Sequence, residues 1–266
     1  MKATLLAPVH PTTFRFRIAA SSMLRASPDV IAQRRRQPVV VGREAMSASF
    51  LKHAEDQTIL AMWAVLEALA DAGWSERSFA DWGVVAAANY FGRASIAQDI
   101  ARFQQEGPWG ISPHSIPHQS LHAISGTISQ ALKIHGPNFG IGGGANAGPD
   151  AFLLATALCA DGSLPGLWLV LTGHANEVIP VPAGGTTGIP DCLAVALALT
   201  ADDAAAGLRL SIGQHDDDSP HLPEFQLSVL IEEWQRTAAP PIARWRISDR
   251  HWIELEVAGF DAEERA

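Results

Sequence analysis

The sequence predicts an α/β fold, a layered sheet with helices on both faces, and three observations predict it. Two short apolar runs, Trp82–Ala88 (WGVVAAA) and Gly166–Gly173 (GLWLVLTG), present almost nothing polar to water, as strands covered on both faces do. The segment Ala54–Ala72 is rich in helix formers, with Ile59, Met62, Leu66 and Leu69 at helical spacing and Gly73 placed to end it. Further strand-like and helix-like segments alternate along the chain, the order that builds a layered sheet. With 266 residues and 47% apolar content the chain has enough material for one large domain or two small ones.

Taken in order, Thr13–Ile18 (TFRFRI) alternates apolar and charged residues and reads as a half-exposed strand. A polar, arginine-rich stretch to about Met46 follows, in which Arg34, Arg35 and Arg36 read as a solvated loop. After the long helix and the first buried strand, Ser95–Gln105 reads as a helix. The loop GPWGISPHSIP leads to HQSLHAISGTISQALKIHG, where Leu121, Ile124, Ile128 and Leu132 mark one helical face. Ala147–Ala160 reads as a helix before the second buried strand. Cys192–Thr200 and Gly207–Gly213 read as a strand pair joined by an acidic, alanine-rich turn. DDDSPHLPE marks a linker, followed by a helix over Phe225–Gln235 and a strand over Trp252–Val257. These boundaries divide the chain into 1–213 and a small C-terminal α+β appendage, 214–266, expected to pack on it. No internal repeat is visible.

Composition narrows the function. A formal charge of −9 argues against a nucleic-acid footprint. No apolar run reaches the length of a membrane span. The N-terminal apolar stretch, broken by Pro8, is too short for a signal peptide, so a cytoplasmic location is expected. Cys159 and Cys192 fit a reducing compartment and read as buried structural thiols.

The segment His135–Gly148, HGPNFGIGGGANAG, holds six glycines in fourteen residues. Gly140-x-Gly142-x-x-Ala145 meets a dinucleotide-binding pattern on paper, yet the buried strand that pattern requires before its first glycine is replaced by His135-Gly136-Pro137-Asn138. A structural reading makes the glycines a close-packing device. A third reading makes the segment an elbow: a strand Asn138–Gly143, a sharp turn at Gly144-Ala145-Asn146, and a helix from about Ala147. A residue in such a turn lies where helix-end amides stabilise an anion, the setting that activates a cysteine. Here that residue is alanine.

In this stretch the chain resembles the nucleophile region of β-ketoacyl synthases of the thiolase fold, in which a Gly-Pro-Asn turn leads through a strand to a cysteine. The resemblance places Ala145 on the nucleophile position. ILAMWAVLEALADAGW, DWGVVAAANYFG, QEGPWGISPHSIPHQSLHAISGTIS and LVLTGHANE resemble further parts of that family in the same order, covering about Ala54–Ser211. The resemblance implies a thiolase-like half, a mixed five-stranded sheet with helices on both faces. Condensing members need the cysteine and two histidines from a C-terminal half. Ala145 cannot attack, and this chain ends where that half is expected to begin.

The similarity is strongest to chain-length factors, inactive partners of active ketosynthases, and to short N-terminal-half proteins of aryl-polyene and polyketide pathways. It implies a heterodimer with an active ketosynthase, with Phe139–Gly143 pairing antiparallel across the interface and the acyl carrier protein met through the partner. Expected pocket or interface residues are Ser115, Ile116, Pro117, Gln119, Ser120, Leu121, Asn138, Phe139, Ile141, Gly143, Asn146 and His174. No catalytic residue, cofactor or metal is expected.

His114, His118 and His122 are spaced by four but lack a well-spaced further ligand, so they read as polar loop or interface residues. Asn146 reads as a helix cap, and His174 and Glu177 as a loop where ligands of open sheets tend to sit. Two alternatives stay open: a stand-alone homodimeric acyl-binding or scaffold protein, and an enzyme with altered thioester chemistry, decarboxylase or hydrolase, for which His174 is the obvious base.

Overall fold

A computed structural model describes residues 13–113, 115–142, 144–179, 181, 190–202, 207–214, 222–236 and 243–258. The elements run β1 (Phe14–Ala26), α1 (Pro28–Arg34), β2 (Val40–Val41), β3 (Glu44–Ala45), α2 (Asp56–Asp71), β4 (Gly83–Ala88) and α3 (Arg93–Glu106). They continue α4 (Ser115–Gln119), α5 (Ala123–Leu132), β5 (Asn138–Gly142), α6 (Ala147–Cys159), β6 (Leu167–His174), β7 (Cys192–Ala201), β8 (Gly207–Gln214), α7 (Leu227–Arg236), β9 (Ala243–Arg246) and β10 (His251–Ala258).

One mixed sheet of eight strands organises the chain, in the order β5-β4-β6-β7-β1-β8-β10-β9. Its first five strands form the mixed sheet expected from the sequence: β5, β4 and β6 run parallel, and β7 and β1 continue antiparallel. β8, β10 and β9 extend it further, all antiparallel. β4 is buried along its whole length and β6 up to His174, which explains their unbroken apolar sequences.

Period-two alternation sends each buried strand into two cores. Val84, Ala86, Trp168, Val170, Ala194 and Ala196 join Ile59, Met62, Leu69, Ile124 and Ile128 of α2 and α5 on one face. Val85, Ala87, Leu169, Leu171, Val195 and Leu197 meet Ala151, Phe152 and Ala155 of α6 and Leu230 and Ile231 of α7 on the other. The small residues of β4 and β7 let the helices lie close to the sheet.

Four expectations need correction. Cys192–Thr200 and Gly207–Gly213 are strands but do not pair with each other, because β1 lies between them and bonds to both. The stretch after Ile18 is no polar loop: β1 continues through a register shift at Ile18/Ala20 to Ala26, and Arg34 ends α1. Its sequence hid the strand, since the residues buried after Ile18 are Ala20, Met23 and Ala26, three apart and without a period-two pattern. Leu121 lies outside α5 and is 44% exposed, whereas Ile124, Ile128 and Leu132 do form the buried face. Strand β9 was not foreseen; it pairs with β10 and is too short to show a pattern. Most of the linker segment and the acidic turn lie outside the described residues.

Candidate functional site

The elbow forms as the glycines allow. β5 runs along the free side of β4, and Gly144 follows in a left-handed conformation (φ 150°) that favours glycine. Ala145 and Asn146 make the turn, and α6 starts at Ala147. Gly140 is dictated by contact, because a β-carbon there would lie 2.0 Å from the Leu121 carbonyl oxygen. At Gly142 it would lie 2.2 Å from Leu121 Cδ2. The glycines therefore seat the Leu121–His122 backbone directly on β5.

Ala145 is exposed at the head of α6 and offers no nucleophile. Asn146 stands at the cap position, yet its side chain makes no capping hydrogen bond, which corrects the capping expectation. It lines a cleft of about 350 Å³ with Asp150, Phe225, Arg246 and Ser248, so the C-terminal segment sits beside the elbow. Phe225 packs edge-on against Phe152 of α6 and comes close over Gly148.

Across the elbow, the carboxyl ends of β4 and β6 open into a second cleft of about 160 Å³, lined by Glu55, Gln57, Tyr90, Arg93, Ser95 and His174 among others. Tyr90, the one tyrosine of the chain, has φ 53°, a conformation that costs a bulky residue about 1–2 kcal/mol. Both sides of the preceding residue are pinned: Asn89 N–H donates to the Thr172 carbonyl (2.9 Å) and Gln57 Nε2 donates to the Asn89 carbonyl (3.0 Å). The Tyr90 ring lies 3.9 Å from where a Gly144 β-carbon would stand, so it separates this cleft from the elbow.

Burial pushes the Glu55 carboxyl above the usual carboxylate range, against the pull of its Ser95 hydrogen bond, and Asp56 and Asp99 reinforce the rise. Burial also lowers the His174 pKa, opposed by the Pro190 carbonyl and Asp56, so the ring is neutral at neutral pH. His174 ends β6 instead of lying in a loop, and its Nδ1 is buried without a hydrogen-bond partner. Glu177 pairs with Arg93.

Of the other anticipated residues, Leu121, Asn138, Phe139 and Ile141 lie on or against β5, and Gln119 is tied to α3. Phe139 and Leu121 are exposed, Gln119 Nε2 donates to Asp99 (3.1 Å), and Ser120 donates to the Pro117 carbonyl (3.2 Å). Ser115 and Pro117 lie in the short α4, where Ile116 also falls. Ile141 leans into the α6-side core, and Asn138 Oδ1 is buried without a partner. Gly143 and His114 lie outside the described residues. His118 packs its ring near His53 (6.0 Å), His122 precedes α5, and no metal-binding cluster occurs among the described residues. Sequence reading missed Glu55, Tyr90, Arg93 and Ser95. The signal that was there is Tyr90 itself, a lone tyrosine just past a buried strand.

Against known proteins, the fold is that of the thiolase-like ketosynthases. One chain of a ketosynthase (ApeO) in complex with its chain length factor (ApeC) from Xenorhabdus doucetiae aligns over 93% of this chain and 98% of that chain, at 15% identity and a TM-score of 0.53. The ishigamide ketosynthase/chain length factor aligns over 77% and 68%, at 14% identity and 0.53. The ketosynthase from module 1 of the bacillaene synthase of Bacillus amyloliquefaciens FZB42 aligns over 80% and 48%, at 14% identity and 0.51.

Residues 42–156, the segment that carries the elbow, match the family model of the beta-ketoacyl synthase N-terminal domain. No curated protein matches it by sequence. The chain spans 63% of the matched chain in a type II PKS acyl-carrier protein complex with its ketosynthase, and about half of the bacillaene ketosynthase chain. No helix among the described residues is long and apolar enough to cross a membrane.

Proposed function

We propose that this chain is a catalytically inactive ketosynthase-like subunit that pairs with an active β-ketoacyl synthase and shapes the pocket in which the acyl chain grows. The observation that carries inactivity is Ala145: the elbow is built, with its glycines and its helix end, around a side chain that cannot form a thioester. A thiolate there would be stabilised by the α6 amides; a methyl group gains nothing from them.

Pairing is supported by the open edge of β5 and by exposed apolar side chains on β5 and α3. That strand ends the sheet, so among the described residues one side of its backbone has no strand beside it. Ile96, Ile100 and Phe103 present one stripe of α3, 40–55% exposed, and Trp109 is 98% exposed. Phe139 and Leu121, at 43% and 44%, add to this apolar content at the strand itself. The apolar stripe along one helix is the feature that favours a protein interface. Solved ketosynthase/chain length factor complexes include a chain that this one matches nearly end to end. An acidic chain is a poor surface for an acidic carrier protein, so carrier docking falls to the partner. The C-terminal strands act in this reading as an extension of the sheet beside the elbow.

Co-expression with the ketosynthase encoded nearest to it, followed by light scattering, tests the proposal. A one-to-one heterodimer is expected, lost in a Phe103→Ser, Ile100→Ser double variant that keeps the wild-type melting curve. A chain that purifies alone, as monomer or homodimer, in the presence of every cognate ketosynthase would sink it and favour the stand-alone acyl-binding reading.

A further inference from the structure

The hairpin of β9 and β10 carries a pair of side chains that the elbow does not use. Ser248 and His251, both half-buried, face each other across its mouth. The Ser248 N–H donates to the His251 carbonyl (3.2 Å), and the His251 N–H to the Ser248 carbonyl (3.4 Å). Backbone closure of this kind places both side chains before any ligand arrives. Ser248 Oγ stands 3.0 Å from His251 Nδ1. The same oxygen accepts the Arg250 N–H (3.2 Å), so one lone pair is occupied and its own proton is free to go to the imidazole, whose ring proton then sits on Nε2. A hydroxyl bonded to the unprotonated nitrogen of an imidazole is the arrangement in which serine acts as a nucleophile.

Ser248 lines the cleft of about 350 Å³ beside the elbow. Asn146, whose side chain makes no capping bond, brings an amide donor to the same space at the positive end of α6, where negative charge on an oxygen is stabilised. Phe225 gives the cleft an apolar wall. Asp150, Glu224 and Asp249 make its rim acidic, and the cation among them, Arg246, is held by Glu224 (2.6 Å) and Asp249 (3.7 Å). That rim repels an anionic substrate and admits an uncharged one.

We propose that Ser248 and His251 form a nucleophile–base dyad that cleaves small uncharged esters or thioesters in this cleft. His251 Nδ1 takes the Ser248 proton as Oγ bonds to the acyl carbon. The bond from that carbon to the leaving oxygen or sulfur then breaks, and the same proton departs with the alcohol or thiol. Water, giving a proton to His251 Nδ1, attacks the acyl-serine, and that proton returns to Ser248 Oγ as the carboxylic acid is released. The loss of condensation at Ala145 leaves this chemistry untouched, since the dyad stands on a different element.

Two readouts on the full chain test it: labelling by a fluorophosphonate, which marks activated serines and is located by mass spectrometry, and hydrolysis of p-nitrophenyl acetate. Ser248 should carry the label in the wild-type chain, and Ser248→Ala should remove the saturable part of the hydrolysis. His251→Gln, which takes away the base and keeps a hydrogen-bonding side chain, should slow labelling and hydrolysis by about a hundredfold or more. Both variants should keep the wild-type melting curve, because backbone bonds close the hairpin. A wild-type Ser248 that stays unlabelled, labelling undiminished in His251→Gln, or hydrolysis unchanged in Ser248→Ala would overturn the dyad and leave the pair as a turn staple. None of these outcomes depends on whether the chain pairs with a ketosynthase.

Discussion

At the scale of single residues, the chemistry of the elbow turns on what stands at position 145. The turn is exposed and leads into the positive end of α6, a place where a thiol would ionise readily. The natural cysteines lie elsewhere. Burial, aided by Asp161, pushes the Cys159 thiol up to about 11, and burial raises Cys192 as well. We therefore expect Ala145→Cys to be alkylated by iodoacetamide at pH 7.5 about a hundredfold or more faster than Cys159, whose thiolate is scarce there. Cys159 should gain about tenfold in rate per pH unit up to its raised pKa, whereas the introduced cysteine should level off well below it. Mass spectrometry of the labelled peptides reads both. Equal, slow labelling at position 145 would mean that the elbow does not present its residue to solvent. The sequence located this residue through the order of its glycines, but it could not show that Asn146 leaves its cap unmade, because a side-chain hydrogen bond depends on a rotamer.

At the scale of elements, glycine has two different meanings in the neighbouring elements α5 and β5. Gly140 is fixed by the Leu121 carbonyl that a β-carbon would strike at 2.0 Å. Gly126, inside α5, would meet only His122 ring atoms at 3.5 Å or more. Gly140→Ala should then destabilise the protein by about 3 kcal/mol, because backbone has to move. Gly126→Ala should stabilise it by about 0.5–1 kcal/mol, through the better helix propensity and reduced unfolded-state freedom of alanine. Urea denaturation of both variants checks the contrast, and a Gly140→Ala as stable as wild type would refute the tight seating of Leu121 on β5. Unbroken apolar runs gave β4 and β6, and helical spacing gave α2 and α5, because both faces of the sheet are covered by helices. Neither signal marks β1, whose buried and exposed residues mix small, polar and charged types.

At the scale of the molecule, the eight-stranded sheet passes without a break from the ketosynthase-like strands into the C-terminal ones. Leu230 and Ile231 of α7, Trp245 of β9, and Ile253 and Leu255 of β10 are all buried in the same core as Val195 and Leu197. Burial of each such side chain is worth about 1.5–3 kcal/mol. Together they rival the 5–15 kcal/mol by which a typical protein is stable. A chain truncated after Gln214 should therefore lose its cooperative melt and aggregate, as followed by circular dichroism and sedimentation. A truncated chain that melts cooperatively as a monomer would establish residues 214–266 as a separable appendage.

By itself the sequence determined the α/β class, the buried central strands, and the elbow with alanine where the ketosynthase resemblance calls for a cysteine. Those features rest on local physics: covered strands need unbroken apolar runs, helices need a stripe, and a glycine-rich turn needs its glycines in place. Only the tertiary structure decided that β1 lies between β7 and β8, that the C-terminal strands continue the sheet, and that Glu55, Tyr90 and His174 share one cleft. Pairing order depends on contacts between residues far apart in the chain, such as Phe16 with Ala201 and with Leu210. The cleft, in turn, gathers single residues from α2, α3 and the ends of two strands, none of which carries a pattern of its own.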